Sequence, residues 1–279
     1  MQDQNNAFPS VIALRAHTRR ATVQALAAAL LAPALPAWAQ APVSLATAIN
    51  RTARFRAQSQ RTAKAYGQLY LNVDVVRARE VLAQTRRQVL AGFADIDGRT
   101  WPVEVARLLA EARISADKLD ALVAQEPTEE HVRSVSSQAD RMLSDADVAV
   151  TALERLSQVP TLRLVNIAGR QRMLSQRLAK NYGLDAAGLG GPGVREQMKG
   201  DAQEFQSNLA QLDKAPLSTP GIRAAIEQGQ AQWVFFEAAL KRKPDARGLG
   251  EVATTSERLL EVSDQLTSLY EAALKDLLG

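Results

Sequence analysis

The sequence predicts an all-α protein: two tandem up-down four-helix bundles behind an N-terminal signal peptide. Three observations carry this. Residues 50–67 (Asn50-Arg51-Thr52-Ala53-Arg54-Phe55-Arg56 through Tyr66-Gly67) recur as residues 166–183, with ten of eighteen positions identical, so the chain is duplicated at a spacing of 116. Helix breakers cut each copy into four segments of about 20 to 30 residues. Those segments are rich in Ala, Leu, Gln, Glu and Arg, aromatic residues make up only 5% of the chain, and no stretch alternates as a strand does.

Residues 1–39 are set aside as a leader. A polar stretch ending in Thr18-Arg19-Arg20 precedes an Ala/Leu-rich run, and Ala37-Trp38-Ala39 has the small-x-small form of a signal-peptidase site. The arginine pair and the mildly apolar core resemble a twin-arginine signal, which implies export to the periplasm by that route or by the general one. Pro33 and Pro36 interrupt the run, which is short for a membrane span. The first domain is expected over 40–157 and the second over 158–279.

Within the first copy the chain breaks near Asn72, at Asp97-Gly98 to Pro102, and at Glu126-Pro127. Within the second it breaks at Gly188 to Gly193, at Ala215-Pro216 to Pro220, and at Pro244 to Gly250. Apolar residues three and four apart, as in Val103/Ala106/Leu109 and Leu259/Val262/Leu266/Leu269, mark the segments as helices with one buried face. Thr100 to Glu104 and Ser218 to Pro220 read as capped starts of the third helices, with Pro in the first turn. Beyond the motif, Asp140-Arg141-Met142-Leu143 answers Glu257-Arg258-Leu259-Leu260, so whole domains were duplicated.

Composition excludes several functions. Removing residues 1–39 takes Arg15, Arg19, Arg20 and Asp3 from 34 basic and 30 acidic residues, leaving 31 and 29, too even a balance for nucleic-acid binding. No cysteine is present, so disulfides and thiolate metal sites are out. Beyond the leader His131 is the only histidine, which rules out the paired Glu-x-x-His ligands of di-iron bundles and reads as a surface residue beside Glu129-Glu130. Gly188 to Gly193 lacks the Gly-Lys-Ser/Thr ending and the preceding strand of a phosphate loop and reads as a linker. Trp233-Val234-Phe235-Phe236 reads as core, with one aromatic exposed. The expectation is a protein that is not an enzyme and has no catalytic residue, metal site or cofactor.

At ~100° per residue, the repeated helix divides into three faces. Ile167, Gln171, Leu174, Leu178 and Tyr182 form the face toward the bundle's own core, and Asn166, Arg170 and Arg177 a face read as solvated. The third face carries Val165, Ala168, Gly169, Arg172, Ser175, Gln176, Ala179 and Gly183, answered in copy one by Ile49, Thr52, Ala53, Arg56, Ser59, Gln60, Ala63 and Gly67. Small residues let another helix come close, and each stripe has one arginine at its middle. If the stripes face each other, two guanidiniums roughly 7 Å apart repel by about 2 kcal/mol at an effective dielectric near 20, a repulsion that an anion between them relieves. Guanidinium forks suit oxyanions, Gln60 and Gln176 lie one turn further on, and Gly169 allows close approach.

The pattern Asn-x-Ala-Gly-Arg-x-Arg-Met-x-Ser-Gln-Arg-x-Ala-Lys of Asn166 to Lys180 resembles the N-terminal sensory domain of type IV pilus methyl-accepting chemotaxis transducers (PilJ-type) and, more distantly, that of NarX-like nitrate/nitrite sensor kinases. The resemblance implies a periplasmic four-helix bundle binding nitrate between the first helices of two subunits, through an arginine three residues after the motif glycine. That arginine is Arg172, after Gly169; copy one has Arg56, with Ala53 in place of the glycine and Ala57 in place of the methionine. Family receptors continue into a transmembrane helix and a signalling module, whereas this chain ends at Gly279, so it is expected to act through a membrane receptor, kinase or pilus component.

Two functions compete. One is a soluble periplasmic sensory module for nitrate, nitrite or a similar oxyanion, held by Arg172 and Arg56 with Gly169, Gln176 and Gln60. Its two halves form either an internal pseudo-dimer or a homodimer. The other is a structural or protein-interaction bundle with no small-molecule ligand.

Overall fold

The computed structural model describes residues 44–157 and 159–278; the leader expected over residues 1–39 lies outside them. Among the described residues there are eight helices and no strand: α1 (Leu45–Tyr70), α2 (Val75–Asp97), α3 (Val103–Val123), α4 (Glu129–Arg155), α5 (Leu162–Ala186), α6 (Gly191–Asp213), α7 (Pro220–Leu240) and α8 (Ala246–Leu278). The all-helical, antiparallel expectation holds. None of these helices is long and apolar enough to cross a membrane.

The ends follow from local chemistry. Ser44 caps α1 by accepting from the Thr47 amide, Thr128 caps α4 through His131 N, and Thr219 caps α7 through Ile222 N with Pro220 behind it. The third helix of copy one starts differently from expectation: Pro102 is itself the residue before the first turn of α3 and supplies no side-chain cap. The turn from α1 to α2 needs two left-handed residues, Asn72 and Asp74, and the matching turn from α5 to α6 uses Gly188 and Gly191. Asn and Asp reach that region at moderate cost because their side chains bond locally, and Gly reaches it freely.

The described residues form one compact unit. Within it α1 to α4 and α5 to α8 are two antiparallel sets of four, and the first helices α1 and α5 lie along each other at the centre. Helix α1 also packs on α2 and α4 and runs beside α8, while α5 packs on α6 and α8. One contiguous apolar core runs through both sets, and a small separate cluster of Ala65, Ala78 and Val81 lies between α1 and α2.

This placement overturns one expectation. The face of α5 read as solvated, Asn166, Arg170 and Arg177, is half-buried, because a central helix meets neighbours on most of its sides. Asn50 and Arg61, at the matching positions of α1, are buried, as are Lys64, Lys180 and Asn181. Trp233 and Phe236 are core residues, Trp233 stacking on Phe205 at 4.4 Å, whereas Phe235 is 62% exposed. His131 sits half-buried at the start of α4, its ring Nδ1 against the Glu126 carbonyl at 2.7 Å.

Candidate functional site

The small-residue stripes of α1 and α5 face each other. Ala53, Ser59 and Ala63 on one helix, and Ala168, Ser175 and Ala179 on the other, are buried, so the backbones approach closely. Gly169 marks the tightest point: a Cβ there would stand 3.3 Å from Ala53 Cβ, 3.1 Å from Arg172 Nη2 and 3.5 Å from Arg56 Nη2. Both guanidiniums therefore converge on one spot between the helices, as the stripe argument required. They are the two largest fully buried side chains, 0% and 1% exposed.

Each arginine reaches across to the other copy. Arg172 Nη2 donates to Asn50 Oδ1 (2.8 Å), and Arg56 Nη2 donates to Asn166 Oδ1 (2.7 Å). Each asparagine is turned by a carboxylate: Asn50 Nδ2 donates to Glu271, and Asn166 hydrogen-bonds Glu154, the residue 117 positions before Glu271. A carboxylate only accepts, so the amide NH₂ faces it and the carbonyl oxygen is left for the arginine.

The other arm of each guanidinium has a counter-charge. Arg56 Nη1 lies 2.5 Å from Asp147 of α4, and Arg172 Nη1 lies 2.6 Å from Asp264 of α8. These carboxylates, 39% and 41% exposed, are shared across the copies: Arg170 reaches Asp147 at 3.2 Å, and Arg54 reaches Asp264 at 3.0 Å. The expected repulsion between the arginines is thus offset from within. Burial still pushes the Arg56 pKa below its ordinary value against the pull of Asp147. Arg172 is pushed down to about 10 by burial, with Asp264 opposing and Arg54 and Arg56 adding to the fall.

Further along, the same seam carries a second ionic cluster. Arg61 and Lys64, 5% and 4% exposed, both bind Glu257 of α8, at 2.5 and 2.6 Å. Lys180 binds Asp140 of α4 at 2.6 Å, and Arg177 binds Asp201 of α6 at 2.5 Å. Burial resists ionisation of Glu257, yet Lys64 and Arg61 together hold its pKa at about 2. Arg170 and Arg177, read as solvated, instead pair across helices, as do Arg54 and Arg61.

Gln60 and Gln176 are fully buried but sit apart from the guanidiniums in their bonding. Gln60 Nε2 donates to Ser59 Oγ at 3.3 Å, and Gln176 Nε2 to the Ser256 carbonyl at 2.9 Å. Their carbonyl oxygens have no partner, so the free atoms are acceptors rather than the anion donors expected. The residues missed from the sequence are Asn50, Asn166, Asp147, Asp264, Glu154 and Glu271. Each pair repeats at 116 or 117, and that shared offset was the available signal.

Among the described residues no group of His, Asp or Glu is placed to hold a metal. No curated protein and no solved structure matches the chain. Residues 157–257, which span α5, α6, α7 and the first part of α8, match the family described as PilJ, type IV pili methyl-accepting chemotaxis transducer N-term, a sensory and non-catalytic family.

Proposed function

We propose that the chain is a periplasmic sensory module built from two PilJ-type copies, 40–157 and 158–279, exported after removal of residues 1–39. It binds a small oxyanion, nitrate or nitrite, between α1 and α5, forming an internal pseudo-dimer and signalling through a membrane receptor, kinase or pilus component. The observation that supports it is the meeting of Arg56 and Arg172 beside Gly169, each held there by a neutral asparagine oxygen from the opposite copy.

An asparagine carbonyl is an sp² oxygen accepting from a guanidinium edge, the same bond a nitrate oxygen would accept with more charge. An entering anion replaces Asn50 or Asn166 on the Nη2 arms, and Arg172 Nε, which lacks a partner, offers one more donor. Added negative charge then competes with Asp147 and Asp264. Because those residues stand on α4 and α8, loosening their hold shifts the helices that flank the central pair, which is a signal a partner can read.

The test is calorimetric titration of the purified protein with nitrate and nitrite, repeated on Arg172→Ala and Arg56→Ala. The reading expects binding by the parent protein and a loss of roughly ten- to a hundredfold in each variant. Absence of binding by any small oxyanion refutes it.

A purely structural role has one observation in its favour, since each guanidinium already has an aspartate. On that reading Arg172→Ala lowers the melting temperature while no anion raises that of the parent.

A further inference from the structure

The two copies differ in the space between their second and third helices. In copy two that space is filled: Trp233 of α7 is 5% exposed, stacked on Phe205 of α6 at 4.4 Å and edge-on to Phe236 at 6.0 Å. In copy one the residue 117 positions before Trp233 is Ala116, and the residue 116 before Phe205 is Val89. Between α2 and α3 there is accordingly an open groove of about 360 Å³, lined by Val89, Phe93, Ala116, Leu119 and Met142, with Leu90 at its lip and the Arg113 guanidinium 4.4 Å over the Phe93 ring.

The groove also has a polar end. Gln58 of α1 lines it, is 8% exposed, and its carbonyl Oε1 has no hydrogen-bond partner. A buried amide oxygen left unpaired costs free energy that a donor brought in by a ligand recovers. At the same repeat position copy two has Leu174, which makes no such demand. The mouth is crossed by an exposed ion pair, Arg86 to Asp120 at 3.0 Å, whose side chains are 65% and 46% exposed. Such a pair opens at little cost.

We infer that this groove is a second ligand site, confined to copy one, for a small aromatic molecule carrying one N–H or O–H donor: the apolar body occupies the space that Trp233 fills in copy two, and the donor meets Gln58 Oε1. The volume lies at the lower end for small-molecule sites, which fits a one- or two-ring compound. Indole is the matching probe, because an indole side chain is what copy two supplies for itself. The site does not rest on the anion reading, since none of the groove-lining residues belongs to the arginine seam.

The experiment is titration of the purified full chain with indole and with indene, which has nearly the same shape but no N–H. Indole is expected to bind, and indene about tenfold more weakly. Ala116→Trp, which copies the second bundle, is expected to abolish indole binding. Gln58→Leu is expected to bring indole down to the level of indene, about tenfold, and it provides the test if Ala116→Trp does not fold. Arg172→Ala leaves indole binding unchanged, which separates this site from the anion site. No binding of indole by the parent chain, equal binding by Ala116→Trp, or undiminished indole binding by Gln58→Leu overturns the inference.

Discussion

Replacing Asp264 by Asn keeps the shape of the side chain and one acceptor oxygen but removes the charge shared by Arg172 and Arg54. At a charge separation near 4 Å and an effective dielectric near 20, one such pair is worth about 4 kcal/mol. Asp264 is 41% exposed, so water screens it, and about 2 kcal/mol is the reasonable loss. For a chain of this size that lowers the melting temperature by about 4 to 8 °C. The variant leaves a buried guanidinium without its anion, so an external anion should now bind more tightly than in the parent. At ten times its dissociation constant, nitrate returns about 1.4 kcal/mol, which is most of the loss. The assay is thermal denaturation of parent and Asp264→Asn across a nitrate series, with chloride at equal ionic strength as the control. An equal shift by nitrate in both proteins, or none in the variant, would refute the idea that Asp264 and the ligand compete for Arg172.

Glu257→Gln strips Arg61 and Lys64 of their common counter-charge and should cost about 3 to 5 kcal/mol, seen as a fall of order 10 °C in the melting temperature. Adding Lys64→Met to that variant should restore part of it. The same carboxylate sets an acid limit. Its folded pKa, about 2, lies below the ordinary value of 4.5, so its contribution of about 3 kcal/mol is complete above pH 4.5 and is lost as pH falls toward 2. Urea denaturation between pH 2 and 6 should show that loss in the parent and a shallower slope in Glu257→Gln. Gly169→Ala trades a helix-propensity gain of about 1 kcal/mol against overpacking on Ala53 Cβ and Arg172 Nη2. A net destabilisation of about 1 kcal/mol by chemical denaturation, relieved when Ala53→Gly is added, is the expected outcome.

The helices were legible because their boundaries are local. Asn72, Asp97-Gly98, Glu126-Pro127 and the glycines of 188–193 act through their own backbone preferences, and each falls at or beside an observed turn. The arginine stripe was legible because small residues and a repeated charge shared one helical face. Its carboxylates were not, since periodicity assigns a residue to a face and says nothing of which residue on another helix it meets. Asp147 and Asp264 are ordinary helix-surface acids by pattern. Asn166 was assigned to solvent because a helical wheel allows a bundle helix one wet side, and in the fold that side of α5 is half-buried against its neighbours.

The repeat itself is informative where it fails. A symmetric pair of first helices would place either two glycines or two alanines at the crossing. Here Gly169 faces Ala53, and a Cβ on both would bring carbons to 3.3 Å with the guanidiniums alongside. Two glycines would leave a gap where the helices touch. One of each fills the crossing and leaves room for both arginines, so Ala53 is the packing complement of Gly169 rather than a decayed copy of it. The same reasoning applies to Ala116 and Trp233, where one copy closes a space and the other keeps it open. A homodimer must use one residue for both roles, whereas a duplicated chain can divide them. The paired arginines retain their symmetry because each depends on an asparagine from the other copy.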